Sequence, residues 1–304
     1  MDDEHDHRKG TQQWFPVVSV LPQWALAAVI FRRDCFARIV GGDSAHHVGR
    51  MAIIHLLGAA TAAERSTDTR GRLAPPRRLA LIALLAIGRA YGVHRDEIVS
   101  LLWPSETGTR GSELLSALLD ALRAEFGDDA LFGRADRLQI NSDRVMTDVV
   151  RFESAADGHA TEDAATAYSG EFLEGFFLDG AVEFEQWASD QRIRLARRAA
   201  EVFDQLADAA RDRGDQVKLA NWLRRRADLE PYALAPTLQL MRALESAGDA
   251  HAALRVGRTY ESRIRTFLET DPAPEVLTET RRLRAIVGPL ATPSGGTPNA
   301  SEKL

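Results

Sequence analysis

The stretch HRDEIVSLLWPSETGTRGSELLSALLDALRAEF, residues 94–126, decides the fold. Its first part predicts a short helix from about His94 to Trp103, which Pro104 ends because proline cannot continue a helix. A longer helix is predicted from about Thr109 to Phe126, closed by Gly127. In it Leu114, Leu115, Leu118, Leu119, Leu122 and Phe126 fall at helical spacing and form the buried face. Ser112, Glu113, Ser116, Ala117, Asp120 and Arg123 are left pointing outward.

Upstream, PPRRLALIALLAIGRAYG (75–92) opens on prolines suited to a first helical turn and stops at Gly92. Its Leu79, Ile82, Leu85 and Ala86 keep the spacing of one buried face. Before it, MAIIHLLG (51–58) reads as a strand closed by Gly58. Downstream, ALFGRADRLQINSDRVMTDV (130–149) alternates weakly between turn residues, which predicts a β-hairpin and one more short strand. Strand, three helices and a terminal hairpin is the order of a winged helix-turn-helix.

From Val149 onward the chain reads as helices only. Arg213-Gly214-Asp215 recurs as Ala247-Gly248-Asp249, an offset of 34 residues. At the same offset Leu206 matches Leu240, Ala209 matches Ala243 and Ala210 faces Leu244. Thirty-four residues is the tetratricopeptide period, one helical hairpin per repeat with the glycine at the turn. Pro231 and Pro272 stand where second helices end, and a weaker third copy is expected around Gly158 and AATAYSG. The fold class is therefore mainly α: a small α+β winged helix over 51–150, then an all-α tetratricopeptide-like domain over 151–290. Residues 1–50 are read as an extension, either poorly ordered or a mis-called start before Met51. The Pro/Gly/Ser-rich tail over 291–304 is expected to be disordered.

Composition narrows the function classes. The net charge is −6, and residues 73–150 carry 9 basic against 11 acidic groups. Nonspecific coating of nucleic acid is disfavoured, so any DNA binding has to come from a local patch. A single cysteine, Cys35, excludes an intramolecular disulfide and any cysteine-based zinc cluster, which suits a reducing cytoplasm. The longest apolar stretch, Val17–Phe31, is too short to span a bilayer and follows an acidic start, so no membrane association is expected. No Gly-Lys pair exists to build a phosphate loop. His5/His7 and His46/His47 lack the helical spacing of a metal pair. Glu171 and Glu174 sit among Phe172, Leu173, Phe176 and Phe177 and read as a packed inter-helix loop. No catalytic residue, cofactor or metal site is expected, and an enzyme is not. Trp103, Trp187 and Trp222 read as core or interdomain anchors. Arg224-Arg225-Arg226 reads as a solvated helical face, with contact to an acidic partner as the alternative.

The residues also resemble a known family. RDEIVSLLWP, the ending LRAEFGDD and VMTDVVRFE resemble the DNA-binding half of the Streptomyces antibiotic regulatory protein (SARP) family. YSGEFLEGFFL with FEQWASDQRIRLARRA, and PAPEVLTETRRL near the end, resemble its bacterial transcriptional activator domain. The resemblance covers about residues 51–290 and is most specific from Tyr168 to Arg198. It implies an OmpR-like winged helix and a cytoplasmic regulator. Its partners would be double-stranded promoter DNA, RNA polymerase or another regulator, and a second copy of itself. The third helix would lie in the major groove and the wing against the neighbouring backbone. Arg110, Ser112, Ser116 and Arg123 would then face the groove, and Arg134 and Arg137 the phosphates.

One departure stands out. The family commonly places arginine where this chain has Ser112, Ser116 and Ala121. Residues 105–129 hold two basic groups, Arg110 and Arg123, against six acidic ones. Each missing phosphate contact removes about one unit of salt-dependent slope. The alternative function is accordingly a protein-interaction adaptor that keeps both folds and no longer reads DNA.

Overall fold

A computed structural model of the chain describes residues 52–58, 75–106, 108–134 and 136–288. The extension over 1–50 and the tail over 291–304 lie outside the described residues. Strand β1 (Ala52–Ile54) is followed by α1 (Pro75–Gly88), β2 (Val93–His94), α2 (Arg95–Leu102) and α3 (Thr109–Phe126). β3 (Leu131–Arg134) and β4 (Arg137–Ile140) form the wing, and β5 (Val145–Thr147) follows. β4 is central in an antiparallel sheet, with Leu138 opposite both Val93 and Gly133. β1 pairs parallel with β5, Ile53 opposite Met146. The arrangement is a winged helix-turn-helix. α1 differs from its expected one-sided burial, since every residue from Leu79 to Ala86 is buried. A helix apolar all round belongs inside, and α1 is packed by α2, α4 and the wing sheet.

The remaining helices are α4 (Asp148–Asp157), α5 (Thr161–Ala167), α6 (Val182–Asp212), α7 (Gln216–Leu229), α8 (Leu234–Ser246), α9 (Ala250–Arg263) and α10 (Pro274–Val287). A π turn over Ile264–Leu268 extends α9. The two Gly-Asp turns are built alike. Gly214 and Gly248 take φ of +71° and +84°, the left-handed position that ends a helix. The next amide reaches back five residues, from Asp215 to the carbonyl of Ala210 and from Asp249 to that of Leu244. Asp215 and Asp249 then cap the following helix by accepting from the amides of Lys218 and Ala252. The third hairpin, α4–α5, has the same five-residue closure from Ala160 to Ala155, but His159 rather than a glycine takes the positive φ, +57°.

The core does not divide at residue 150, which falls within α4. One continuous core runs from Leu56 to Leu206 and a second from Ala207 to Leu283. The 31-residue α6, about 46 Å long, belongs to both. Segment 55–58 straps the winged helix to the helical half. The amides of Leu56 and Leu57 donate to the buried Asp148 carboxylate at 2.8 and 3.1 Å. On the other side the Leu173 amide donates to Leu56 O, the Gly58 amide to Glu171 O and Ser169 Oγ to Leu57 O. Gly58 and Gly170 touch so closely that a Cβ on Gly170 would lie 2.8 Å from the Gly58 Cα. Phe172 and Leu173 are fully buried, as expected of a packed inter-helix loop. Trp103 is buried in this core, while Trp187 and Trp222 are half-buried and pack on Phe172 and Phe203.

The Arg224–Arg226 run is not a uniformly solvated face. Arg225 turns inward: its guanidinium donates to Ala165 O at 2.9 Å and Tyr168 O at 2.5 Å and lies 4.3 Å over the Phe203 ring. Burial lowers its pKa, and burial also pushes the Tyr168 hydroxyl up to about 12. Arg226 pairs with Asp204 and Glu230, and only Arg224 faces out. The carbonyls that hold Arg225 lie about sixty residues upstream, so helical spacing alone gives no sign of them.

Candidate nucleic-acid interface

α3 owes its position to α2. Gly111 presses against Val99, so that a Cβ at 111 would lie 2.4 Å from Val99 Cγ1. The leucine face, Leu114, Leu115, Leu118, Leu119 and Leu122, is buried in the first core. This leaves Arg110, Ser112, Glu113, Ser116 and Asp120 exposed and Arg123 half-buried, in one stripe along the helix.

The two expected cations of that stripe are both engaged within it. Arg110 donates to Glu113 at 3.1 Å, and Arg123 to Asp120 at 3.0 Å. Both are three-residue helical pairs on the surface, held loosely enough to exchange partners. Ser116 donates its hydroxyl to Ser112 O at 2.9 Å, which leaves both side chains able to accept. Two further carboxylates of this region are paired outside the helix, Glu125 with Arg78 and Asp129 with Arg144.

On the wing, Arg137 is exposed but folds back to donate to the carbonyls of Tyr91 and Gly92 at 3.1 and 3.0 Å. Arg134 ends β3 and is the register partner of Arg137, so the two share one face of the hairpin. The Arg134 side chain lies outside the described residues. Phe132, 53% exposed and paired with Gln139, stands on the same face. Sequence reasoning passed over it, although strand alternation with Arg134 would have put it there. His94 precedes α2 and meets Asp136 at 2.9 Å across the sheet. Among the described residues no cluster of His, Cys, Asp or Glu could hold a metal, and no helix is long and apolar enough to cross a membrane.

Fold and exposed surface define a class: a winged helix whose third helix carries an exposed stripe, packed on helical hairpins. Residues 144–284 match the family model described as bacterial transcriptional activator domain. A solved structure of Mycobacterium tuberculosis EmbR in complex with a low-affinity phosphopeptide is similar at 19% identity and a TM-score of 0.47. That similarity covers 80% of this chain and 66% of the other, so the chain spans just under two thirds of that protein's length. Comparison with curated protein sequences returned no match.

Proposed function

We propose that the protein is a DNA-binding transcriptional regulator of the SARP type, acting in the cytoplasm. α3 reads promoter DNA, the wing holds the backbone, and the helical half contacts RNA polymerase, another regulator or a second copy. The observation that carries this reading is the match of 144–284 to a transcriptional activator domain whose core is continuous with the winged helix. Arg110, Ser112, Ser116 and Arg123 are the groove-facing residues, with Arg134 and Arg137 on phosphates. The two groove-facing arginines also reach the phosphates that line the groove, and four such contacts correspond to a slope of about −3 to −4 in log K against log salt.

The test is an anisotropy titration of the full chain against the DNA upstream of its own gene at several salt concentrations. Saturable binding with that slope, reduced by about two on Arg123→Ala with Arg134→Ala, is the expected result. A folded chain that binds neither this DNA nor unrelated duplexes at low salt refutes it. The adaptor reading would then stand, and one observation favours it: Glu113 and Asp120 already occupy the two arginines of α3.

A further inference from the structure

A second cationic feature lies well away from α3 in the sequence. α7 and α9 both pack on α8 and leave between them a cleft of about 350 Å³. Three arginines line it, Arg224 from α7 and Arg255 and Arg263 from α9, against a single carboxylate, Asp228. Leu240 and Val256 contribute to its apolar lining. Among the described residues no hydrogen bond or close ion pair engages any of the three guanidinium groups. Arg225 and Arg226, their neighbours in sequence, are fully engaged. In a chain of net charge −6, a cleft with three arginines and one acid runs against the general balance. Burial raises the Asp228 pKa, and Arg263 and Arg224 nearby oppose that shift.

We propose that the cleft between α7 and α9 binds an acidic, extended peptide segment of a protein partner. The spacing of its arginines suits the extended form. Arg255 and Arg263 are two helical turns apart, about 12 Å. An extended chain rises about 3.3 Å per residue and points alternate side chains the same way. Acidic side chains four residues apart therefore meet Arg255 and Arg263, and a residue at odd offset between them points the other way, toward Arg224 on α7. Planar guanidinium groups suit carboxylates because they engage both oxygens. The pattern recognised is two acidic residues four apart with a third immediately after the first or before the second, and an apolar contact to the lining. This site is independent of the DNA-binding reading, and either can fail alone.

The probe is a fluorescein-labelled decaglutamate, which like-charge repulsion keeps extended at neutral pH, titrated with the full chain by anisotropy. The expected result is saturable binding, weakened at least tenfold by Arg255→Gln with Arg263→Gln. Arg281→Gln with Arg284→Gln, on the exposed side of α10, should change it less than twofold. Circular dichroism of the variants checks that the fold is kept, and Arg224→Gln provides a third, independent lesion of the same cleft. Absence of binding, or equal loss in the α9 and α10 pairs, overturns the proposal. So does a decamer of thymidylate that binds this cleft more tightly than the peptide, since the site would then be a nucleic-acid groove.

Discussion

Asp148, the first residue of α4, holds the strap over 55–58. Changing it to alanine leaves three buried amides with no acceptor, those of Leu56, Leu57 and Val149, whose residues are 0%, 2% and 0% exposed. Each orphaned buried donor costs about 1–3 kcal/mol, so the three cost about 6 kcal/mol. That is a large part of a total stability on the order of 5–15 kcal/mol. In urea, with a slope of about 2–3 kcal/mol per molar, the midpoint should fall by about 2.4 M. Asp148→Asn separates the amides. Its carbonyl can still serve Leu56 and Val149, as Oδ1 does now, but its amino group meets the Leu57 N–H donor to donor. About a third of the shift is expected. A midpoint change under about 0.4 M for Asp148→Ala, measured by far-UV circular dichroism, would refute the claim that this carboxylate holds the strap.

The same residue makes a prediction of sign. Burial raises the Asp148 pKa, and the amides of Leu56, Leu57 and Val149 together with His55 oppose the shift without cancelling it. An acid raised in the folded state stabilises it fully below the unfolded pKa, and that share is lost as pH rises through the folded pKa. The stability gap between the wild-type chain and Asp148→Asn should therefore widen as pH falls from neutral to about 4. Asp157 and Glu279, lowered by hydrogen bonds from Arg89 and Arg282, have the opposite dependence in both proteins and drop out of the difference. A gap that narrows in acid would show that the amides outweigh burial.

Two further perturbations test the packing. Gly111→Ala drives a methyl to 2.4 Å from Val99 Cγ1 and should cost about 1–3 kcal/mol in urea unfolding. Adding Val99→Ala should restore most of it, and a coupling below about 0.5 kcal/mol would show that α2 and α3 do not meet there. Arg225→Met removes both carbonyl contacts and the contact with Phe203. It should lower the melting temperature by about 6–10 °C, while an unchanged melt would return Arg225 to the solvated face.

What the sequence reveals and what it hides divide along the range of the interactions involved. α3 ends where Gly127 stops it, and both Gly-Asp turns behave as expected, because left-handed glycines and capping aspartates act within one turn of themselves. The α4–α5 hairpin has the same closure with His159 and Ala160 in place of glycine and aspartate, and its offset from the others is stretched by the 168–181 loop and the long α6. β2 is two residues long and carries no period at all. Arg225 and Asp148 depend on partners 57–60 and 91–92 residues away, which local spacing cannot reveal. The pairing of Arg110 with Glu113 and of Arg123 with Asp120 lies within reach of a helical-spacing argument, since both are three residues apart.

Those two pairs bear on how α3 could bind DNA at all. Surface pairs of this spacing are worth about 0.3–0.5 kcal/mol, so a phosphate can displace either carboxylate at small cost. The displaced carboxylates remain on the binding face, however, and the penalty comes from them. A carboxylate about 7 Å from a phosphate repels it by roughly 0.6 kcal/mol in water before salt screening, which halves the figure at physiological ionic strength. Glu113→Gln with Asp120→Asn removes two such terms and frees both arginines. Affinity for any duplex should rise about three- to tenfold, and the salt slope should steepen by up to two. Anisotropy at several salt concentrations measures both. A loss of affinity confined to one sequence would instead assign Glu113 or Asp120 to a cytosine amino group, where a carboxylate is the acceptor required. No change on any duplex would mean that α3 does not face DNA, and the exposed stripe would then belong to a protein partner.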